Sequence, residues 1–290
     1  MHKQIIGLGL QTGKEHMKTS ILEKKARLER RIQQYGSVAV AFSGGVDSTF
    51  LARMCHDALG ERALAITIDS EAYPPQNIQD TRNLAKLIGI RLLEIRVSAC
   101  DIPEFSANES DRCYHCKRFL FKVMLEKTRD EGISVLIDGS NADDLGDYRP
   151  GKRAVAELGI QSPLQELDFT KDEIRELSRE LGLPTWNRQS FACLASRVPY
   201  GSPITPELLE RTWRAEAVLD EMGFRQYRVR NHREIARIEV DGESMEVLLR
   251  DGSSRETLVE RLKALGYRYV VLDLQGYRTG SMNDPLRKME

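Results

Sequence analysis

The stretch that decides the fold is Ser37-Val-Ala-Val-Ala-Phe42 running into Ser43-Gly-Gly-Val-Asp-Ser48, followed by Thr49-Phe-Leu-Ala-Arg-Met-Cys-His-Asp-Ala-Leu59. An apolar β-type run empties into a Gly-rich turn, and the last segment carries apolar residues at helical spacing. A strand–loop–helix junction of this kind offers backbone N–H groups and a helix N-terminus to an anion. Gly44 and Gly45 let the main chain approach a phosphate closely. The lysine of a Walker loop is missing, so any phosphate is held in another way.

Working outward, strand-like runs recur at 63–68, 91–97 and 133–137, with helical patterns at 48–59, 75–88 and 116–131 between them. A charged amphipathic helix over 20–35 leads the series. Strand–helix alternation predicts an α/β fold with a doubly wound parallel sheet. Ligands of such sheets sit beyond the carboxyl ends of the strands. Asp69 and the run Asp138-Gly-Ser-Asn-Ala-Asp-Asp144 fall at those ends with the Gly-rich turn. Thr170-Lys-Asp-Glu173 has the capping-box pattern and opens a helix that stops before Gly182-Leu-Pro184. A Pro-, Gly- and Ser-rich loop fills 187–206. Beyond it a helix at 206–222, strands near 226–230 and 235–240, a helix at 253–265 and a strand at 268–273 predict a second, smaller α+β unit. The chain is thus divided into a tail at 1–19, a large domain at 20–190 and a small one at 191–290.

Lys plus Arg is 43 and Asp plus Glu is 44, which weighs against a dedicated nucleic-acid binder. No apolar run approaches the roughly 18 residues that span a bilayer. The short stretch Ile5-Ile-Gly-Leu-Gly-Leu10 lacks the length of a secretory segment, so the expected compartment is the cytosol. Five cysteines, an odd number, do not suggest a disulfide framework and turn attention to metal or catalytic roles. Cys113-Tyr-His-Cys116 is a C-x-x-C at a loop-to-helix junction, where amide dipoles favour the thiolate. Cys193 lies in the long loop. These three admit a structural zinc site completed by His115 or His232, an iron–sulfur cluster with one open iron, a redox pair or unligated thiols. Cys55 falls on the apolar side of its helix and reads as a core residue. Arg197, Arg228 and Arg230 are candidates for phosphate or carboxylate contacts, with solvated surface charge the competing assignment.

Ser-Gly-Gly-x-Asp-Ser resembles the PP-loop of enzymes that split ATP between its α and β phosphates. With Cys-Tyr-His-Cys-Lys117, Asp138-Gly-Ser-Asn-Ala-Asp-Asp-Leu-Gly-Asp-Tyr-Arg-Pro150, Ser190-Phe-Ala-Cys-Leu-Ala-Ser-Arg-Val-Pro-Tyr-Gly201, Ala236-Arg-Ile-Glu-Val240 and Gly276-Tyr-Arg-Thr-Gly280, roughly residues 20–280 resemble the LarE family of ATP-dependent sulfur transferases. The resemblance implies that ATP adenylylates a carboxylate of pyridinium-3,5-biscarboxylic acid mononucleotide and that a sulfur nucleophile then displaces AMP. Ser43, Gly44, Gly45 and Ser48 take the phosphate-cradle role; Asp47 beside a phosphate would be repulsive without a divalent cation between them, so it is assigned to Mg²⁺ directly or indirectly, and Asp69 and Gly139 are further nucleotide contacts. Ser196 joins the three arginines as a substrate contact, with residues 20–190 binding ATP and 191–290 serving substrate and assembly into a homo-oligomer. Cys193 matches the family's sulfur-donating cysteine. Cys113 and Cys116 place the chain with the branch whose three cysteines hold a 4Fe–4S cluster that takes its sulfur from sulfide. A PP-loop tRNA thiolase, an ammonia-using ligase related to NAD synthetase and an adenine-nucleotide-binding regulator are the alternatives.

Overall fold

A computed structural model describes residues 20–146, 151–188, 193–278 and 282. The expected tail at 1–19 lies outside the described residues, as do parts of the motifs around 147–150, 189–192 and 279–280. In chain order the first elements are α1 (20–35), β1 (Val38–Ala41), α2 (Val46–Leu59), β2 (Ala63–Asp69), α3 (Gln76–Ile88) and β3 (Arg91–Arg96). There follow α4 (Pro103–Ala107), α5 (Arg112–Asp130), β4 (Leu136–Ile137), α6 (Gly151–Glu157), α7 (Pro163–Glu166) and α8 (Lys171–Glu180). The last are α9 (Pro206–Glu221), β5 (Tyr227–His232), β6 (Ile235–Val240), α10 (Gly242–Arg250), α11 (Gly252–Ala264) and β7 (Tyr269–Leu272).

Chain contacts divide the protein into two compact units. The first comprises Met1–Asp69, Gln76–Arg96 and Lys117–Phe191; the second comprises Ser70–Pro75, Val97–Cys116 and Ala192–Glu290.

The first unit is built on a four-stranded sheet in the order β3-β2-β1-β4. Every pairing is parallel, with Val38 opposite Ala63, Ala39 opposite Leu136 and Leu64 opposite Arg91. The chain therefore moves to β2 on one side of β1 and later to β4 on the other. That reversal makes the end of β1 the topological switch point, where doubly wound sheets bind ligands. Residues 63–68 are all buried, as expected of a parallel strand covered on both faces. Leu28 and Ile32 of α1, Phe50, Leu51 and Met54 of α2, and Ile174 and Leu177 of α8 pack a common core with Val38, Val40 and Phe42. Strand β4 is only two residues long, against the five predicted at 133–137. The Ile133 N–H turns back to Thr128 to close α5, and the ladder instead continues through a bridge from Ile137 to Gln161.

The second unit contains a three-stranded sheet in the order β5-β6-β7, with β5 and β6 antiparallel and β6 and β7 parallel. Ala215, Val218 and Leu219 of α9 and Leu258 and Leu262 of α11 pack against Val229, Ala236, Ile238 and Val240. This is the α+β unit the pattern predicts, with α10 added. Its signal is weak because glycine, a poor helix former, opens both α10 and α11. Asp241 and Asp251 cap the two helices through Ser244 N–H and Ser253 N–H.

Candidate functional site

The candidate phosphate cradle begins where β1 ends. Gly44 has φ +72°, a conformation open to glycine at little cost, and a Cβ there would stand 3.0 Å from Thr81 Cγ2. Gly45 precedes α2 in extended conformation with no side chain capping the helix. The first N–H groups of a 14-residue helix thus point out of the loop with the positive end of its dipole. Ser43 and Ser48 brace the turn. Their hydroxyls lie 3.0 Å apart, the Ser43 N–H donates to Ser48 Oγ at 3.3 Å, and the Gly45 N–H donates to Ser43 Oγ at 3.4 Å. Gly139, beyond β4, lies so close under α2 that a Cβ would come within 3.0 Å of the Ser48 nitrogen. Close packing is reason enough for glycine at this position.

Asp47 sits in the first turn of α2, and its Oδ2 accepts a hydrogen bond from Lys171 Nζ. Its Oδ1 is buried without a hydrogen-bond partner among the described residues. An orphaned carboxylate oxygen beside an open helix N-terminus is a fitting ligand for a hard cation such as Mg²⁺. Lys171 carries no sequence signal beyond its place inside a capping box. That box is present as predicted: Thr170 Oγ1 accepts from Glu173 N–H, and Glu173 accepts from Thr170 N–H. It fixes the start of α8, and the Lys171 N–H is further held by Asp143 at 2.7 Å. Asp143 belongs to the run after β4, whose Asp138 is tied to the Ser140 and Ser162 hydroxyls, each at 2.6 Å. Arg188 also reaches the loop, donating to Gly44 O at 3.2 Å and pairing with Asp80. Asp69, at the carboxyl end of β2, has Arg96 3.9 Å away.

All three candidate sulfur ligands belong to the second unit. Cys113 is exposed in the first turn of α5, Cys116 is buried one turn on, and Cys193 precedes a 3₁₀ turn at Leu194–Arg197. The Leu194 N–H donates to Ala72 O at 2.9 Å, tying that turn to the segment that carries Tyr73. The Tyr73 hydroxyl is pushed up by burial and by the charges of Cys193, Cys116 and Cys113 together. Burial pushes the Cys193 thiol up to about 11; the Ala195 N–H opposes it, Cys113 adds to it, and the Arg112 and Arg197 guanidiniums draw it down. The three thiols therefore share one electrostatic neighbourhood. Among the described residues, however, no group of three or more His, Cys, Asp or Glu side chains is arranged so that it could hold a metal ion. His115 Nε2 lies 3.1 Å from Asp111 Oδ2, and its Nδ1 lies 3.8 Å from Glu104. Cys55 is fully buried and its thiol is pushed up by burial, the core role expected of it.

The arginines are not surface charge. Arg197, 2% exposed, donates to Glu216 at 2.9 and 3.0 Å, to Cys193 O at 3.2 Å and to Ser196 Oγ at 2.8 Å. Arg230, 5% exposed, donates to Glu239 at 2.6 Å and to Ser196 O at 3.1 Å. Both grip the turn that follows Cys193, so the residues proposed to touch substrate also shape the cysteine loop. Arg228 differs. Among the described residues its guanidinium bonds only Tyr227 O, with no carboxylate hydrogen-bonded to it, and it lies over the Tyr277 ring at 5.2 Å. Burial, Arg197 and Arg230 all disfavour its charge. An anion arriving there would relieve that strain.

Residues 21–117 match the family model described as NAD synthase. An uncharacterized Synechocystis protein is 41% identical over 91% of this chain and 99% of its own length. The pyridinium-3,5-bisthiocarboxylic acid mononucleotide synthase of Lactiplantibacillus plantarum is 35% identical over 93% of this chain and 98% of its own. The chain belongs to the LarE family of PP-loop ATP-dependent sulfur transferases. More distantly, a component chain of the glutamine-hydrolysing GMP synthase of Sulfurisphaera tokodaii is 26% identical over 66% of this chain and 57% of its own length. Both the family model and this relative fit the parallel sheet and the cradle after β1. No helix among the described residues is long and apolar enough to cross a membrane.

Proposed function

We propose that this protein inserts sulfur into carboxylates of pyridinium-3,5-biscarboxylic acid mononucleotide, giving thiocarboxylates for a nickel-pincer nucleotide cofactor. The observation that carries the reading is its 35% identity, across nearly the whole of both chains, with the Lactiplantibacillus synthase. A carboxylate is a poor electrophile because expelling oxide is unfavourable. In the reaction a carboxylate oxygen attacks the α-phosphorus of ATP, and pyrophosphate leaves. Hydrosulfide then adds to the acyl carbon, and AMP departs with the electron pair of the C–O bond. Loss of the sulfur-bound proton leaves the thiocarboxylate.

Ser43, Gly44, Gly45 and Ser48 cradle the departing pyrophosphate, whose charge the α2 N-terminus stabilises. Mg²⁺ on Asp47 would neutralise phosphate charge, and Lys171 stands ready to exchange Asp47 for a phosphate oxygen. Asp69 and Gly139 complete the nucleotide site from the ends of β2 and β4. Residues 20–190 serve ATP, and 191–290 serve the substrate. There Arg228 takes a phosphate or carboxylate of the pyridinium nucleotide, while Ser196, Arg197 and Arg230 shape its pocket. Cys113, Cys116 and Cys193 are assigned to a 4Fe–4S cluster, a reading that draws on the family resemblance and on their common action on Tyr73. Three thiolates leave one iron of such a cluster able to accept an external sulfur ligand. Sulfide is the donor, and the protein works as a cytosolic homo-oligomer.

The test is a reaction under anaerobic conditions with ATP, Mg²⁺, sulfide and the biscarboxylic nucleotide. Pyrophosphate release that depends on the nucleotide, with thiocarboxylate detected by mass spectrometry, supports the assignment. Pyrophosphate release without any sulfur-containing product would overturn it.

A further inference from the structure

Arg112, immediately before Cys113 in the first turn of α5, is only 3% exposed. Its Nη1 donates to Asn108 Oδ1 at 2.5 Å, and its guanidinium lies 4.2 Å from the centre of the Tyr200 ring. Both partners are neutral. The Nε is buried with no hydrogen-bond partner, and no carboxylate among the described residues pairs with this cation. The acid beside it in sequence, Asp111, bonds His115 instead. Burying an arginine without a counter-ion is costly, so buried charges are normally paired.

The surroundings hold the cation firmly. Asn108, in the left-handed conformation at φ 61°, donates through Nδ2 to Pro199 O at 2.8 Å and Ser202 O at 2.7 Å, and its carbonyl accepts from Gly201 N–H at 3.0 Å. This clamp joins the corner between α4 and α5 to the 199–202 loop, and Tyr200 closes over the guanidinium. Arg112 is thus a fixed, desolvated positive charge whose field reaches Cys193. An anion placed beside the thiols would supply the missing counter-charge.

We propose that Arg112 forms an anion site beside the cysteines that receives the sulfur donor, hydrosulfide, ahead of its attack on the activated carboxylate. The proposal rests on the reading of sulfide as donor given above. A single buried guanidinium matches the charge of a small monoanion, whereas the substrate carboxylates have a cation of their own in Arg228, which no carboxylate among the described residues hydrogen-bonds.

The test is calorimetric titration of the anaerobically reconstituted protein with sodium sulfide, together with KM for sulfide and for the pyridinium nucleotide. Arg112→Gln should weaken sulfide binding and raise its KM roughly tenfold to a hundredfold, the effect of losing a charged hydrogen bond. KM for the nucleotide and pyrophosphate release should hold. Arg112→Lys, which keeps the charge, should restore most of the sulfide affinity. If wild type binds sulfide and Arg112→Gln binds it equally well, the anion site is wrong while the donor assignment stands. A wild type that neither binds nor uses sulfide refutes the donor assignment, and the anion site falls with it. A raised nucleotide KM with unchanged sulfide binding would hand Arg112 to the substrate and overturn the proposal. Should Arg112→Gln fail to fold, Arg112→Lys decides: retained sulfide binding supports the charge role and lost binding overturns it.

Discussion

Arg197 and Arg228 carry the same side chain and answer to different physics. Arg197 is a buried ion pair with Glu216, so Arg197→Ala leaves a carboxylate uncompensated and should cost about 3–5 kcal/mol of stability in urea unfolding. Arg228 has no such partner among the described residues. Arg228→Ala should leave the unfolding midpoint nearly unchanged and weaken the pyridinium nucleotide by about 1.5–3 kcal/mol in equilibrium binding, the loss of a charged hydrogen bond. Equal effects of both substitutions on stability would refute the distinction. The sequence cannot separate them, because the acids that claim Arg197 and Arg230 lie 19 and 9 residues away on other elements. Asp47 was legible inside its motif, whereas its partner Lys171 lies 124 residues on. Asp47→Ala should abolish substrate-dependent pyrophosphate release in a protein that keeps its circular dichroism. Normal release would remove Asp47 from the phosphate site.

At the scale of elements, most strands and helices with a clean period were readable, the capped but glycine-led α10 was not, and neither were the contacts between elements. The capping box placed α8 to within a residue, since its signal is local. Gly139 carries no local signal, because its reason is the approach of the β4 end to α2. Gly139→Ala should push Ser48 and Asp47 aside and lower pyrophosphate release far more than it lowers the unfolding midpoint. An unaffected rate would mean that the helix start tolerates the shift. The segment after β2 makes a pH-dependent element. Burial would raise the Glu71 carboxyl, but the Cys100 N–H and the Ser98 hydroxyl, each at 2.8 Å, outweigh it and hold Glu71 below its ordinary value. Because the folded value is depressed, this contribution is complete above the unfolded value of about 4.3 and is lost as pH falls through the folded one. The stability gap between wild type and Glu71→Gln should therefore be widest near neutrality and close in acid. A gap independent of pH would show that ionisation of Glu71 contributes nothing.

Across the whole molecule, the groups suited to phosphate lie in the first unit, and the thiols with Arg112 and Arg228 lie in the second. The sequence divides the chain once, near 190, whereas residues 70–75 and 97–116 are counted with the C-terminal unit, and contacts between distant segments have no one-dimensional signature. Because Cys113, Cys116 and Cys193 fall in one unit, sulfur delivery and carboxylate activation should be separable by mutation. Cys193→Ala should keep nucleotide-dependent pyrophosphate release and yield no thiocarboxylate. The same residue distinguishes two sulfur mechanisms. If it is consumed, product stops at one sulfur per chain and mass spectrometry finds dehydroalanine at 193. If it serves as a cluster ligand, protein reconstituted with iron and fed sulfide makes several products per chain, and residue 193 stays cysteine. Cys113→Ala decides between them, since only the second mechanism needs Cys113. A folded Cys113→Ala protein that keeps full multiple turnover would eliminate the three-thiolate centre, however much iron the wild type binds.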